Sequence, residues 1–511
     1  MGTQRMLNWI LRSVIILGLS VGAAVGPAAA RELPVVKPVI DCAALAETDI
    51  APPGEAPARI VTAKMVAGGS VSPYCEVRGY VAPQVKFELR LPTQNWMQRL
   101  MFSGCGGFCG RIDFRIRAAE GCAAIDNGEF ALVASDLGHD APDGNGDGVW
   151  AASNPQGAID YGHRGVHVVT VAAKAIIARF YGRPQSYSYF NGCSDGGREG
   201  MMEVQRYPDD FDGVVAGAAV INDTANNSIF HAWSTQHLRR ADGTPLFSDQ
   251  ALAVLHAAVI AACDKLGDGV ADGVIGDPAA CRFDPATVAC RGEASATCLS
   301  PEQVAAARAI YSGPLDPDGR PLYFGRPFGT ELDWNRDVSP FVRSFIRYMA
   351  APDPQPYDLA DVGYDAETVG RYNARAAIYN ATDPDIRAFQ RGGGKLIMWH
   401  GWSDSAVPPM SSVDYYRAVR KAVGSGVNDF VRLYMLPGVG HCGGGDGPDK
   451  LNLVDAITAW VEDGKEPGAI QLDRKSFGRT LQSRPVYPYP AVARYKGTGN
   501  PDAAASFSLS D

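Results

Sequence analysis

Apolar and polar positions follow two different periods along this chain, and the changes of period mark out its elements. From about Ile60 to Ser135 the apolar runs are short and of β type. Val85–Leu91 alternates residue by residue, as a strand with one buried face does, and Arg99–Phe102 is a short continuous run of the buried kind. His163–Tyr181 changes to helical spacing and contains no proline. Ser186–Phe190 predicts a strand, Asn191–Gly197 a tight glycine-rich turn and Arg198–Arg206 a helix. A second block follows the same grammar, with strands over Lys395–His400 and Val431–Leu436 and helices over Val413–Val423 and Leu453–Val461. Between about Asn222 and Gly392 the alternation lapses into a segment rich in aspartate, proline, glycine and aromatic residues.

Strand, glycine turn and helix in that order are the α/β-hydrolase arrangement. The expected fold class is α/β, an α/β-hydrolase fold with a large inserted lid domain. Residues 31–221 and 393–511 would form the catalytic domain and 222–392 the lid. A chain of 511 residues is long for a single core, which agrees with a second unit.

Acyl transfer needs an exposed nucleophile, a base touching it and an acid orienting the base. Gly192-Cys193-Ser194-Asp195-Gly196 matches the Gly-x-Ser-x-Gly elbow, in which glycines permit a strained turn between strand and helix. Ser194 is therefore the candidate nucleophile. Of eight histidines, His441 sits in a glycine loop just beyond a predicted strand, where this fold presents its base. His400 reads as a supporting residue at its strand end, and His163 and His167 as structural. Asp404, just beyond the preceding strand, suits the chain order of serine, acid and histidine. The long gap between Ser194 and Asp404 independently calls for an insertion. The oxyanion hole needs two backbone amides. Asp195 would supply one, and Gly106 or Gly107, in the loop Phe102–Gly110, the other.

Composition adds the compartment. Arg5 and Arg12, the apolar run Val14–Val25 and the small residues Ala28 and Ala30 read as a signal peptide, 1–30, cleaved after Ala30. The mature protein is then expected to be soluble and secreted or periplasmic, with no other stretch suited to a bilayer. The net charge of −9 is spread without blocks, so neither nucleic acid nor membrane is an expected partner. The eleven cysteines include no Cys-x-x-Cys pair and, in an oxidising compartment, favour disulfides over zinc. An odd number leaves at least one thiol unpaired within the chain. Cys193 precedes the serine and Cys442 follows the histidine, so a bridge between them would staple the nucleophile loop to the base loop. Cys193 itself is not the expected nucleophile, because the elbow exposes its central residue.

Cys263–Asp277 concentrates four carboxylates in a glycine-broken loop. Calcium takes six to eight hard oxygens, and Asp264, Asp268 and Asp272 with the carbonyls of Val270 and Val274 could supply them. Cys263 and Cys281 bracket the loop and could close it. Asp143–Gly148 resembles the start of a calcium loop, but Asn154 stands where a bidentate glutamate belongs, and it reads as an ordinary polar loop.

Together, Gly192–Arg198, Trp402-Ser403-Asp404, Gly440-His441-Cys442, the aspartate loop, Gly106–Gly110 and Asp136–His139 resemble the tannase and feruloyl esterase family. The resemblance covers nearly the whole mature chain, and the Cys-Ser and His-Cys pairing is its most specific part. It implies a Ser-His-Asp esterase acting on aromatic carboxylate esters, with no catalytic cofactor, a structural calcium in the lid and the Cys193–Cys442 bridge. It also implies bridges Cys263–Cys281 and Cys290–Cys298, with Cys42–Cys75 a further one. Cys105, Cys109 and Cys122 would share one bridge and the odd thiol. The aspartate loop departs from the family pattern by one extra residue between Asp264 and Asp268.

The expected partner is a small aromatic ester, and hydrolysis of mono(2-hydroxyethyl) terephthalate is an alternative that the resemblance allows. A flat apolar slot would be built from Phe230, Trp233, Trp334, Phe341, Phe345 or Tyr348, each of which could equally be core. Arg343 and Arg347, one turn apart on a predicted helix, read first as solvated surface and otherwise as candidates for a substrate carboxylate. A non-catalytic binding protein on an esterase fold would fail to react with a serine-directed fluorophosphonate. A peptidase or lipase would turn over peptides or long-chain lipids.

Overall fold

In a computed structural model the described residues are 33–510, apart from 69–71, 142, 143, 145 and 293–296. The expected signal peptide, and Asp143 and Asn145 of the polar loop, lie outside the described residues. Ten strands form one sheet: β1 (Asp49–Ile50), β2 (Ala58–Val66), β3 (Tyr74–Val81), β4 (Val85–Pro92), β5 (Arg99–Ser103), β6 (Phe130–Ser135), β7 (Tyr187–Cys193), β8 (Gly213–Gly217), β9 (Lys395–Gly401) and β10 (Val431–Leu436). Their spatial order is β1-β2-β3-β4-β6-β5-β7-β8-β9-β10. The first four and β6 pair antiparallel, whereas β6, β5, β7, β8, β9 and β10 run parallel. The parallel half is buried on both faces, which is why its strands are continuous apolar runs: β8 and β10 are buried throughout.

Helix α1 (Gly165–Tyr181) buries Val169, Ala172, Ala173, Ile176, Ile177 and Phe180 and ends at Gly182, whose φ of 70° is the left-handed stop that glycine tolerates. A π-helical turn, Asp160–Arg164, precedes it. Helix α2 (Asp195–Arg206) leaves β7 with Ser194 alone between them. Between β8 and β9 the chain holds helices and turns but no strand among the described residues, including α3 (Asp249–Cys263) and α4 (Pro301–Ser312). Ser248 caps α3, and α4 opens on a capping box of Ser300 and Gln303 with Pro301 in its first turn. Helices α5 (Met410–Val423) and α6 (Val454–Asp463) complete the second block.

Beyond α6 the chain forms two hairpins that the sequence reading did not anticipate. These are β11 (Ile470–Ser476) with β12 (Arg479–Val486), and β13 (Val492–Tyr495) with β14 (Phe507–Ser510). Among the described residues no helix is long and apolar enough to cross a membrane. The structure pairs Cys42 with Cys75, Cys105 with Cys109, Cys193 with Cys442, Cys263 with Cys281 and Cys290 with Cys298, leaving Cys122 as a buried thiol.

Candidate active site

Four loops leave the carboxyl ends of parallel strands on the same edge of the sheet, the edge at which open α/β sheets bind ligands. Gly104–Gly110 follows β5, Ser194 follows β7, Asp404 follows β9 and His441 follows β10. Ser194 has φ 67° and ψ −121°, a conformation that a side-chain-bearing residue holds only when its surroundings impose it. The imposition is visible. The Ser194 amide donates to the Gly217 carbonyl at 3.0 Å and the Gly196 amide to the Cys105 carbonyl at 2.8 Å. A Cβ on Gly192 would stand 2.4 Å from the Gly196 carbonyl oxygen, so the elbow closes only with glycine there.

His441 Nε2 stands 2.9 Å from Ser194 Oγ, and His441 Nδ1 stands 2.7 Å from Asp404 Oδ2. The three side chains thus form one hydrogen-bonded line. Asp404 is fully buried and saturated: its Oδ1 accepts the amides of Ala406 and Val407 at 2.8 and 2.9 Å, and its Oδ2 also meets His400 Nε2 at 3.1 Å. His400 Nδ1 faces Ser412 Oγ at 2.8 Å, which leaves Nε2–H to donate to the carboxylate. Burial alone would raise the Asp404 pKa, but the charge of His441 and the bonds from both histidines outweigh it and hold the carboxyl below its ordinary range. The Cys193–Cys442 bridge joins the residues flanking Ser194 and His441, with Cα atoms 6.0 Å apart.

Beneath the elbow lies a buried polar layer. Arg198, fully buried, donates from Nε to Asp195 Oδ1 at 2.6 Å and from its terminal nitrogens to the carbonyls of Gly162 and Tyr161 at 2.7 and 3.0 Å. The Asp195 amide opens α2 and so has no carbonyl one turn earlier in that helix to receive it. Gly106 and Gly107 face the same space as Ser194, Gly107 with φ 66°.

Two cavities meet at Ser194. One, of about 190 Å³, is bounded by Phe108, Val338 and Phe341 and by Asp223, Asn226 and His231. The Phe108 and Phe341 rings meet edge to face at 5.3 Å. The other, of about 540 Å³, is bounded by the Gly104–Gly107 loop and by Arg111, Arg115, Arg117 and Arg336. Ser194, His441, Gly107 and Arg336 border both. A third cavity, near Trp402, Met410 and Tyr489, touches neither Ser194 nor His441.

Matched against a family model, residues 69–509 of the chain fit "Tannase and feruloyl esterase". The chain belongs to the tannase and feruloyl esterase family. Within that family it is 35% identical to mono(2-hydroxyethyl) terephthalate hydrolase of Piscinibacter sakaiensis, over 85% of this chain and 84% of the relative. It is 32% identical to a probable feruloyl esterase of Arthroderma benhamiae, over 82% of this chain and 81% of the relative. The crystal structure of feruloyl esterase B from Aspergillus oryzae superposes with a TM-score of 0.79 at 26% identity, over 89% of this chain and 97% of that one. These tannase and feruloyl esterase likenesses carry the α/β-hydrolase fold and ester hydrolysis.

Of the aromatic residues expected to form a slot, only Phe341 borders the cavities at Ser194. Phe230, Trp334 and Phe345 are buried in the core, and Trp233 donates from its indole to the Ala309 carbonyl. Arg343 and Arg347 border neither cavity, and Arg347 stacks on Tyr348. His231, Asn226, Arg336 and the arginines of 111–117 do border them. Sequence reasoning missed these residues, since no local motif marks them.

The aspartate loop also meets a cation supplied by the chain itself. Calcium needs its oxygens around one point. The nearly buried Arg484 of β12 binds the carboxylates of Asp268 and Asp272. Asp264 Oδ1 accepts the amides of Asp272 and Gly273 at 3.3 and 3.1 Å, while Asp268 and Asp272 accept those of Val270 and Val274 at 3.0 and 3.1 Å. The expected ligands Asp264, Asp268, Val270, Asp272 and Val274 thus share one loop, into which the C-terminal hairpin also delivers the Arg484 guanidinium.

Proposed function

We propose that the chain is an exported serine esterase that hydrolyses esters of hydroxylated aromatic carboxylic acids. His441 takes the Ser194 proton as the hydroxyl attacks the ester carbonyl, and Asp404 orients the imidazole and stabilises its charged form. The oxyanion is held by the amide of Asp195 and by that of Gly106 or Gly107. His441 then returns the proton to the leaving alcohol, and water releases the acid from the acyl-enzyme. The five disulfides suit an oxidising compartment.

The observation that carries the aromatic reading is the smaller cavity. Two phenylalanine rings, Phe108 and Phe341, stand in its wall, and Asp223 Oδ2, Asn226 Oδ1 and His231 Nδ1 are buried there without a hydrogen-bond partner among the described residues. Burial pushes His231 down to about 4, so the ring is neutral, and Nε2 lies 3.1 Å from the Ala406 carbonyl, where it donates. Nδ1 is then a free acceptor. Burial also pushes Asp223 up to about 7. Buried polar atoms left unpaired are costly, and the phenolic hydroxyls of a bound ring would satisfy them.

A second reading, hydrolysis of mono(2-hydroxyethyl) terephthalate, is favoured by the 35% identity to the enzyme of that name. Assays of methyl ferulate, methyl gallate and mono(2-hydroxyethyl) terephthalate on the purified protein separate the two. Turnover of the hydroxylated esters, abolished in Ser194→Ala with the fold intact, supports the first. Turnover of the terephthalate ester alone supports the second. Failure of a fluorophosphonate to label Ser194 removes both.

A further inference from the structure

The larger cavity at Ser194 is a positive pocket in a protein of net charge −9. Arg111, Arg115, Arg117 and Arg336 border it, and among the described residues none of the four forms an ion pair. Its one acidic neighbour from the same segment, Asp113, uses Oδ1 to accept the Arg115 amide at 3.0 Å. Arg117 is half-buried, and its guanidinium is pulled below its ordinary value by burial and by the charge of Arg115. Arg111, Arg115 and Arg336 are exposed, so the positive wall is open to an anion arriving from solvent.

The arginine segment is fastened to the machinery beside it. Asn191, three residues before Ser194 on β7 and fully buried, accepts the Arg117 amide on Oδ1 at 2.9 Å and donates from Nδ2 to the Arg117 carbonyl at 2.9 Å. The Arg90 guanidinium lies 3.7 Å above the Phe114 ring. The backbone of Arg117 is therefore ordered before a ligand arrives.

Resting on the reading of Ser194 as nucleophile, we propose that this cavity receives an anionic arm of the substrate. The preferred ester carries its hydroxylated ring in the smaller cavity and a carboxylate on the arm across the ester bond, as when an aromatic acid is esterified to a hydroxy acid. The alternative placement, a carboxylate on the ring itself, would set that charge against the Asp223 carboxyl and the free lone pair of neutral His231. Guanidinium groups bind carboxylates through paired, charge-assisted hydrogen bonds.

The test compares kcat/KM for the feruloyl ester of lactic acid and for the same ester with its carboxylate capped as the methyl ester. At low ionic strength the free acid is expected to be preferred by about 10-fold or more, and the preference to shrink in about 0.5 M salt. Arg115→Gln with Arg117→Gln should bring the ratio toward one, mainly through KM. An enzyme that hydrolyses both esters equally well, or that prefers only a carboxylate placed on the ring as in mono(2-hydroxyethyl) terephthalate, overturns the proposal and leaves the esterase reading standing. The wild-type ratio and its salt dependence decide the matter even if the double variant fails to fold. Hydrolysis of neither ester, with Ser194 unlabelled by a fluorophosphonate, overturns the esterase reading itself.

Discussion

Glu199 Oε1 accepts the backbone N–H of Cys105 at 3.1 Å, so the helix that follows the nucleophile holds the glycine loop proposed to complete the oxyanion hole. The glutamate is buried, and burial together with the charge of Asp195 pushes its pKa up to about 8.

A pH dependence of stability follows from that shift. A glutamate in the unfolded chain titrates near 4.3, so between that pH and about 8 the folded protein binds more protons than the unfolded one. Stability contributed by the neutral carboxyl is whole below the lower value and is lost as pH rises through the upper one. Glu199→Gln keeps an acceptor for Cys105 and removes the titration. Its Tm at about pH 9 should exceed that of the wild type, with the difference fading toward pH 5. Parallel melting curves across that range would expose a carboxyl that never titrates in this window.

The line from Asp404 through His441 to Ser194 makes a sharper claim on rate. Asp404→Asn preserves the shape of the side chain but removes the charge that fixes the imidazole, and a loss of roughly 10⁴-fold in kcat is expected. His400 would still stand beside the new amide, so far-ultraviolet circular dichroism should be unchanged. A loss below about 10-fold would mean that another carboxylate orients His441.

Cys193 and Cys442 enclose 249 residues of chain separation. Closing so long a loop in the unfolded state is worth up to about 5 kcal/mol in the chain-entropy model, although four other bridges already restrict the chain. Cys193→Gly with Cys442→Gly is expected to lower Tm by several degrees. It should also lower kcat by as much as about 100-fold, since small misplacements of reacting groups are expensive. Full activity together with unchanged Tm would strip the bridge of any role in aligning Ser194 with His441.

The site was legible in the sequence where function needs a local backbone shape. Ser194 declares itself through the glycines of its elbow, and His441 through its glycine loop, because both turns need residues without side chains at particular points. Asp404 followed from its place after β9. The residues that shape the cavities were not legible, for a physical reason. His231 and Arg336 reach Ser194 only through the tertiary placement of the segment between β8 and β9. Trp334 and Phe345, which looked equally suited, turn into the core. The C-terminal hairpins were also hidden: β11 buries Leu472 alone, too weak an alternation to announce a strand. With β12 unforeseen, Arg484 could not be matched to the aspartate loop.

Arg484 carries a prediction about the stability of the aspartate loop. Its guanidinium is nearly fully buried against Asp268 and Asp272, and burial already pushes Asp268 up to about 6. Removing one partner of a buried pair leaves the other charge unmet, at a cost of roughly 3–5 kcal/mol. Arg484→Met should therefore lower Tm substantially at neutral pH. The loss should shrink as pH falls toward about 6, because Asp268 without the guanidinium takes up its proton at a higher pH than in the wild type. As a calcium loop it should also lose Tm in about 5 mM EDTA and regain it with added calcium. An unchanged Tm on chelation, in the wild type as in Asp268→Asn, would mean that the loop is held without a metal.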